Sequence, residues 1–248
     1  PYAEVATPAD GIWVPIEEPL HPGAEIGMYK SMVHPDPRRS FAVLAVVAID
    51  VETYAVELVA GTTEPHSQKV KLEDRPGRVS EKHYDGLVAA FNGGFRATHG
   101  QYGMMLDGVE YLPPRDISCT FARYRDGSFR IATWPKLAGE TAAIQYYRQT
   151  PPCLVEDGVV HEVLQETEYA KKWGATVSGD TVIRRSAIGL DASGKILYFG
   201  LGEAMSAQSL ARGMLAAGAQ SVAQLDVNHS YPRMLFYGRD KHTEASDP

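Results

Sequence analysis

Three short stretches of the 248-residue chain combine side chains able to do chemistry. "AFNGGF", residues 90–95, brings an apolar run abruptly to Asn92, Gly93 and Gly94. Paired glycines can adopt left-handed backbone angles, approach a ligand closely and turn successive N–H groups toward an anion. An Asn-Gly pair is equally an ordinary tight-turn corner. "RRSAIG", residues 184–189, offers Arg185, whose planar fork can grip a phosphate through two parallel bonds. Its plainer use is a structural ion pair. Arg184 points to the opposite face of any strand and reads as surface. "AQLDVNHS", residues 223–230, holds Asp226, Asn228, His229 and Ser230. Asp226 can move a proton or orient a hydroxyl, or simply cap the turn that follows a strand. His229 titrates near neutrality and can shuttle a proton. His99 and Glu203 stand near these stretches and are further candidates.

These groups need elements to position them. "FAVLAVVAID" and "YAVELVAG" read as two strands joined by a tight turn at residues 51–53. Residues 62–83 are polar and contain Pro65, Pro76 and Gly77, which predicts a loop, one able to cover a site. Asp-Gly pairs at 107–108, 126–127 and 157–158 sit between short apolar or alternating runs and predict antiparallel hairpins. "SAIGL" and "KILYFG" repeat that pattern around a longer turn. Residues 162–174 read as one helix closed by Gly174. A second helix is predicted over "AQSLARGMLAAG", where Ala207, Leu210, Ala211, Met214 and Leu215 share a face. Ser206 is its N-cap and Gly218 its C-terminal stop. The strand after it alternates, with Gln224, Asp226 and Asn228 on one side. That face is either solvated or a polar pocket at the strand's end.

Residues 1–40 are rich in proline, glycine and acid and read as an irregular lead-in with at most short edge strands, packed on the domain through Trp13. Residues 41–248 make the domain proper. The expected class is α+β: one domain with a twisted, largely antiparallel sheet and a few packed helices. A net charge of -7 argues against a general nucleic-acid partner. No apolar run is long enough to span a membrane. The eight histidines and two cysteines show no HExxH or CxxC spacing, so no metal is expected. Cys119 and Cys153 can pair in an oxidising compartment or remain buried thiols, and a chain of this length should fold without them. It opens at Pro1 without methionine, which reads as a processed or trimmed product.

In this order the three stretches and the intervening hairpins resemble the phosphodiester glycosidase family, over about residues 87–237. The family pattern has an Asn-Gly-Gly-Phe corner, matched by Asn92, Gly93, Gly94 and Phe95. Its Arg-Thr-Ala-Ile-Gly strand is matched by residues 185–189, with Ser186 for threonine. Its Leu-Asp-Gly-Gly-Gly-Ser strand end is matched at Leu225, Asp226 and Ser230 only. Val227, Asn228 and His229 stand where three glycines would, so the loop must have another shape. The resemblance implies a hydrolase freeing a sugar from a sugar-phosphodiester, secreted or in the periplasm or cell envelope, without an organic cofactor. Its partner would be a carbohydrate or sugar-phosphate substrate. Asn92, Gly93, Gly94, Asn228 and Ser230 would bind it, Arg185 would offset phosphate charge, and Asp226 would handle the proton. Glu203, then His229, would be the second catalytic partner. On this reading Arg185→Lys weakens ligand binding and leaves the melting temperature unchanged. The competing reading is a glycan-binding or envelope-associated domain without turnover.

Overall fold

The structure, a computed structural model, describes residues 2–17 and 23–238. Strands β1 (Val14–Pro15), β2 (Met28–Val33) and β3 (Leu44–Asp50) open the chain, and β4 (Ala89–Phe91) leads into the Asn-Gly-Gly corner. Then come β5 (Met104–Leu106), β6 (Val109–Leu112), β7 (Cys119–Tyr124), β8 (Phe129–Thr133) and β9 (Ile144–Thr150). The short pair β10 (Val155–Glu156) and β11 (Val159–Val160) precedes helix α1 (Glu162–Glu166). The long hairpin β12 (Ile183–Leu190) and β13 (Ile196–Met205) is followed by α2 (Ala207–Ala217), β14 (Ser221–Gln224) and β15 (Met234–Phe236).

Eight strands form the main sheet in the order β1-β2-β3-β13-β12-β14-β10-β11, and five form a second in the order β6-β5-β9-β7-β8. Among the described residues every pairing between these strands is antiparallel, and β15 pairs with β4 separately. The α+β class is therefore as expected. Alternation along β12 explains the layering. Ala187 faces a core shared with Leu210, Ala211 and Met214 of α2. Ile188 and Leu190 face a core shared with Phe121, Ile131 and Tyr146 of the second sheet. Helix α2 lies very close to its sheet: a Cβ at Gly200 would sit 2.3 Å from Met214 Sδ. Its ends follow the expected chemistry, with Ser206 in a capping box and Gly218 left-handed at φ 118°.

The hairpins fall at the Asp-Gly pairs, with both residues at positive φ in Asp107-Gly108 and Asp157-Gly158. Trp13 packs on the core, its ring centroid 6.1 Å from that of Tyr198. Other expectations are corrected. Residues 55–60 form no strand. Both edges of β3 are already taken, by β2 and β13, so a following hairpin strand has nowhere to pair. Tyr54, Val56 and Leu58 instead pack against the inter-sheet core as irregular chain. Within the predicted lead-in, β2 pairs along its whole length with β3 and is an integral strand; residues 18–22 lie outside the described residues. The helix expected over 162–174 stops at Glu166, and Lys171–Trp173 forms a separate 3-10 turn closed by Gly174 at φ 92°. The break lets Trp173 turn inward, fully buried, with its indole N–H donating to Pro152 O at 2.7 Å. Cys119 and Cys153 form a disulfide. Among the described residues, no helix is long and apolar enough to cross a membrane.

Candidate active site

The regular strand β14 ends at Gln224, and the chain then passes the Asn-Gly-Gly corner. The backbone N–H of Asp226 donates to Gly93 O at 3.1 Å, so the corner and the strand end are joined. The Asp226 side chain is buried at 5% exposure, and its Oδ1 accepts from the N–H of Asn228 at 2.8 Å. That is the turn geometry short acidic side chains favour. Burial raises its pKa above the ordinary 3.8, although the Asn228 and Val227 N–H groups and the charges of His99 and Arg96 pull it back. A carboxyl poised in this way exchanges its proton closer to neutrality than a surface aspartate does.

Asp226, Val227, Asn228 and His229 line one side of a cleft of about 690 Å³. One wall carries Phe95, His99, Gly100 and Tyr102; the other carries Lys171, Lys172, Gly174–Val177, Ile183 and Arg184. Each wall hangs on a buried arginine. Arg148 of β9 donates through Nη1 to Tyr102 O at 2.6 Å and through Nη2 to Phe95 O, holding the first wall. Arg185 of β12 holds the second. Its Nε donates to Met205 O (3.0 Å), Nη1 to Trp173 O (2.7 Å) and Gln224 Oε1 (2.8 Å), and Nη2 to Gly174 O (3.0 Å) and Thr181 O (2.7 Å). Burial brings both guanidinium groups down to about 10, so both stay charged at neutral pH.

Arg185 is consequently not presented to the cleft. A guanidinium has five N–H donors, and here they serve five protein oxygens. The side chain is fully buried, on the α2 face of the sheet. No room for a ligand is left over Gly189: a Cβ there would lie 3.2 Å from Met214 Cε of α2 and 2.7 Å from Ala219 Cβ just after the helix. The neighbour read as surface, Arg184, reaches the cleft instead. Glu203 is absent from the lining; it is 66% exposed and pairs with Arg184 at 3.2 Å. Asn92 is set back from the cleft as a brace. Its Nδ2 donates to Ser186 Oγ at 3.0 Å, and its Oδ1 accepts from Arg233 N at 3.1 Å. Ser186 also donates to Asp226 O at 3.3 Å, so Asn92 and Asp226 share a support. Neither Gly93 nor Gly94 has positive φ, so the corner is not a left-handed nest. Gly94 is instead a close approach, where a Cβ would lie 3.3 Å from Gln149 O and 3.4 Å from Arg148 Nε. Ser230 follows His229 on the exposed rim, its carbonyl accepting from Arg233.

Sequence reasoning missed Arg148, Lys171, Lys172 and Glu64. Glu64 Oε2 accepts from Ala97 N at 3.0 Å and ties the polar 62–83 segment to the first wall. Farther on, the segment packs through Val70 against Met104 and Tyr111 of the β5–β6 hairpin. Glu64 and Asp226 both act electrostatically on Arg96 and Arg148. Among the described residues, no group of three or more His, Cys, Asp or Glu is placed to hold a metal ion.

A family model described as phosphodiester glycosidase matches residues 85–226, from just before the Asn-Gly-Gly corner to Asp226. Among solved structures, the zebrafish N-acetylglucosamine-1-phosphodiester alpha-N-acetylglucosaminidase catalytic domain, auto-inhibited by its pro-peptide, superposes with a TM-score of 0.54 at 14% identity. That likeness covers 91% of this chain and 78% of the other. A hypothetical protein from Synechocystis superposes with a TM-score of 0.51 at 10% identity, over 85% of this chain and 58% of that one. At such identities these likenesses speak to the fold alone. Among curated proteins, none matches the sequence.

Proposed function

Because the chain belongs to the phosphodiester glycosidase family, we propose that it hydrolyses the bond joining a sugar to phosphate in a sugar-phosphodiester, with Asp226 as the proton-handling residue. The observation that carries this reading is the buried Asp226 carboxyl in a cleft otherwise furnished with cationic groups. Water adds across the sugar C1–O–P link. Ionised Asp226 takes a proton from the water, whose oxygen bonds to C1. The C1–O bond breaks, and its electron pair leaves with a phosphomonoester. Most glycosidases need a second carboxyl to protonate a reluctant alkoxide. A phosphomonoester, with a second pKa of about 6, leaves without that help. One carboxylate opposite cations therefore suffices, and Glu203 is not needed as an acid. Half-buried Tyr102 offers ring surface to the sugar, and Asn228 and His229 offer polar contacts at the rim.

We place this activity outside the cytosol, in a secreted or envelope setting, a reading supported by the Cys119–Cys153 disulfide. Glycan binding without turnover is the second reading. It is favoured by Val227, Asn228 and His229, which fill the turn after Asp226; Val227 packs so close that a side chain at Gly174 would lie 2.8 Å from its Cγ2. Incubation with a panel of sugar-phosphodiesters in ¹⁸O-water separates the readings. Label in the freed sugar is the expected outcome. Label in the phosphate would mean phosphodiesterase chemistry, and no freed sugar from any substrate would leave binding alone.

A further inference from the structure

We infer that the anionic half of the ligand is held by Lys171, Lys172 and Arg184, making that wall the specificity determinant for phosphate; this rests on the hydrolase reading above. A chain of net charge -7 gathers two lysines, an arginine and two histidines around the cleft, against the single carboxylate of Asp226. The other nearby arginines are committed elsewhere. Arg185 and Arg148 are spent on protein oxygens, and Arg96 donates to the Tyr231 hydroxyl and covers its ring. Lys171 and Lys172, by contrast, have no carboxylate partner among the described residues. Arg184 has one, Glu203, on the solvent side. The Arg184 Nε lies 3.2 Å from Glu203 Oε1 but is buried without a well-aligned hydrogen bond.

The fold also explains why the lysines are held there. They belong to the 3-10 turn that ends in Trp173 and is closed by Gly174, and the carbonyls of Trp173 and Gly174 are gripped by Arg185. Arg185 is thus a positioning residue for the cationic wall and does not touch phosphate itself. A lysine ammonium acts as a mobile point charge, so this wall would accept an anion without demanding one bidentate geometry. On the other wall the half-buried Tyr102 ring carries no charge, and the Arg115 guanidinium over it is engaged with that ring and with Gly100 O.

Calorimetric titration with inorganic phosphate at low ionic strength tests this inference without requiring turnover. The Lys171→Ala/Lys172→Ala variant should bind phosphate at least tenfold more weakly, with a flatter salt dependence, and melt as the native protein does. Arg184→Gln should also weaken binding. Lys30→Ala/Lys195→Ala removes the same net charge away from the cleft lining and should leave binding unchanged. Native protein that binds no phosphate, or a cleft double variant that binds it undiminished, would overturn the inference. Phosphate binding that depends on the two lysines, with no sugar freed from any phosphodiester, would keep the inference and end the hydrolase reading.

Discussion

The two walls of the cleft are built by one device and furnished differently. Each is irregular chain whose carbonyls converge on a buried guanidinium, Arg148 for residues 95–103 and Arg185 for residues 173–181. A planar cation with several fixed donors orders a loop that has no strand or helix to satisfy its backbone. The arginines anchor the backbone of each wall. Buried Phe95 and half-buried Tyr102 line one, and exposed Lys171 and Lys172 with half-buried Arg184 line the other. Asp226, fixed to the Asn-Gly-Gly corner, sits between.

Removing an anchor should have the largest effect. Arg185→Met leaves several buried carbonyls unpaired and should cost on the order of 5 kcal/mol in urea unfolding. Arg185→Lys supplies three donors for five acceptors and should still lower the melting temperature clearly. That reverses the sequence-based expectation, and an unchanged melting temperature with lost ligand affinity would return Arg185 to the role of phosphate fork. The disulfide comes next. It closes a loop with a sequence separation of 34, for which chain entropy gives roughly 4 kcal/mol. Cys119→Ser/Cys153→Ser should therefore fold with a matching loss of stability. Because Cys153 follows Pro152, whose carbonyl holds Trp173, hydrogen exchange should rise more on the cationic wall than on the aromatic one. Equal loosening of both walls would break the comparison.

Smaller changes address ligand choice. Tyr102→Ala should weaken a neutral glycoside about tenfold, roughly 1.4 kcal/mol, and leave inorganic phosphate binding as it was. Glu203→Gln should free Arg184 and tighten phosphate about twofold at low salt, roughly 0.4 kcal/mol, with the gain fading as salt screens an exposed pair. Tightening of the neutral glycoside instead would blur the division between the walls.

The parts of this architecture legible in the sequence are those set by local rules. Helix α2 announces itself by period and caps, and the hairpins by Asp-Gly turns. The polar end of "AQLDVNHS" singles out Asp226, and the turn-capping role that the sequence also allowed is present, through the Asn228 N–H. The illegible parts depend on what lies across the fold. Alternation in "YAVELVAG" cannot reveal that both edges of β3 are occupied. Arg185 could be a phosphate fork until Gln224 and the carbonyls of Trp173 and Thr181 are seen around it. Lys171 and Lys172 look like ordinary solvated helix residues, since nothing local shows that the helix breaks before them and turns them to the cleft. Glu64 meets Ala97 across 33 residues that carry no signal of the contact.

The account rests most heavily on Asp226, and the pH dependence of sugar release by native protein and Asp226→Asn tests it most directly. Burial raises the Asp226 pKa. The native state therefore holds the Asp226 proton more tightly than the unfolded chain does. Its contribution to stability is full below the ordinary carboxylate range and is lost as pH rises through the raised folded value. At pH 7 the neutral asparagine removes that penalty, so Asp226→Asn should melt no lower than native protein. Native kcat/KM should fall on the acid side with a midpoint above 3.8. The variant should release sugar at least about a hundredfold more slowly and lose that acid limb. An asparagine variant that frees sugar at the native rate, with the acid limb intact, would contradict the assignment of Asp226 as the catalytic group.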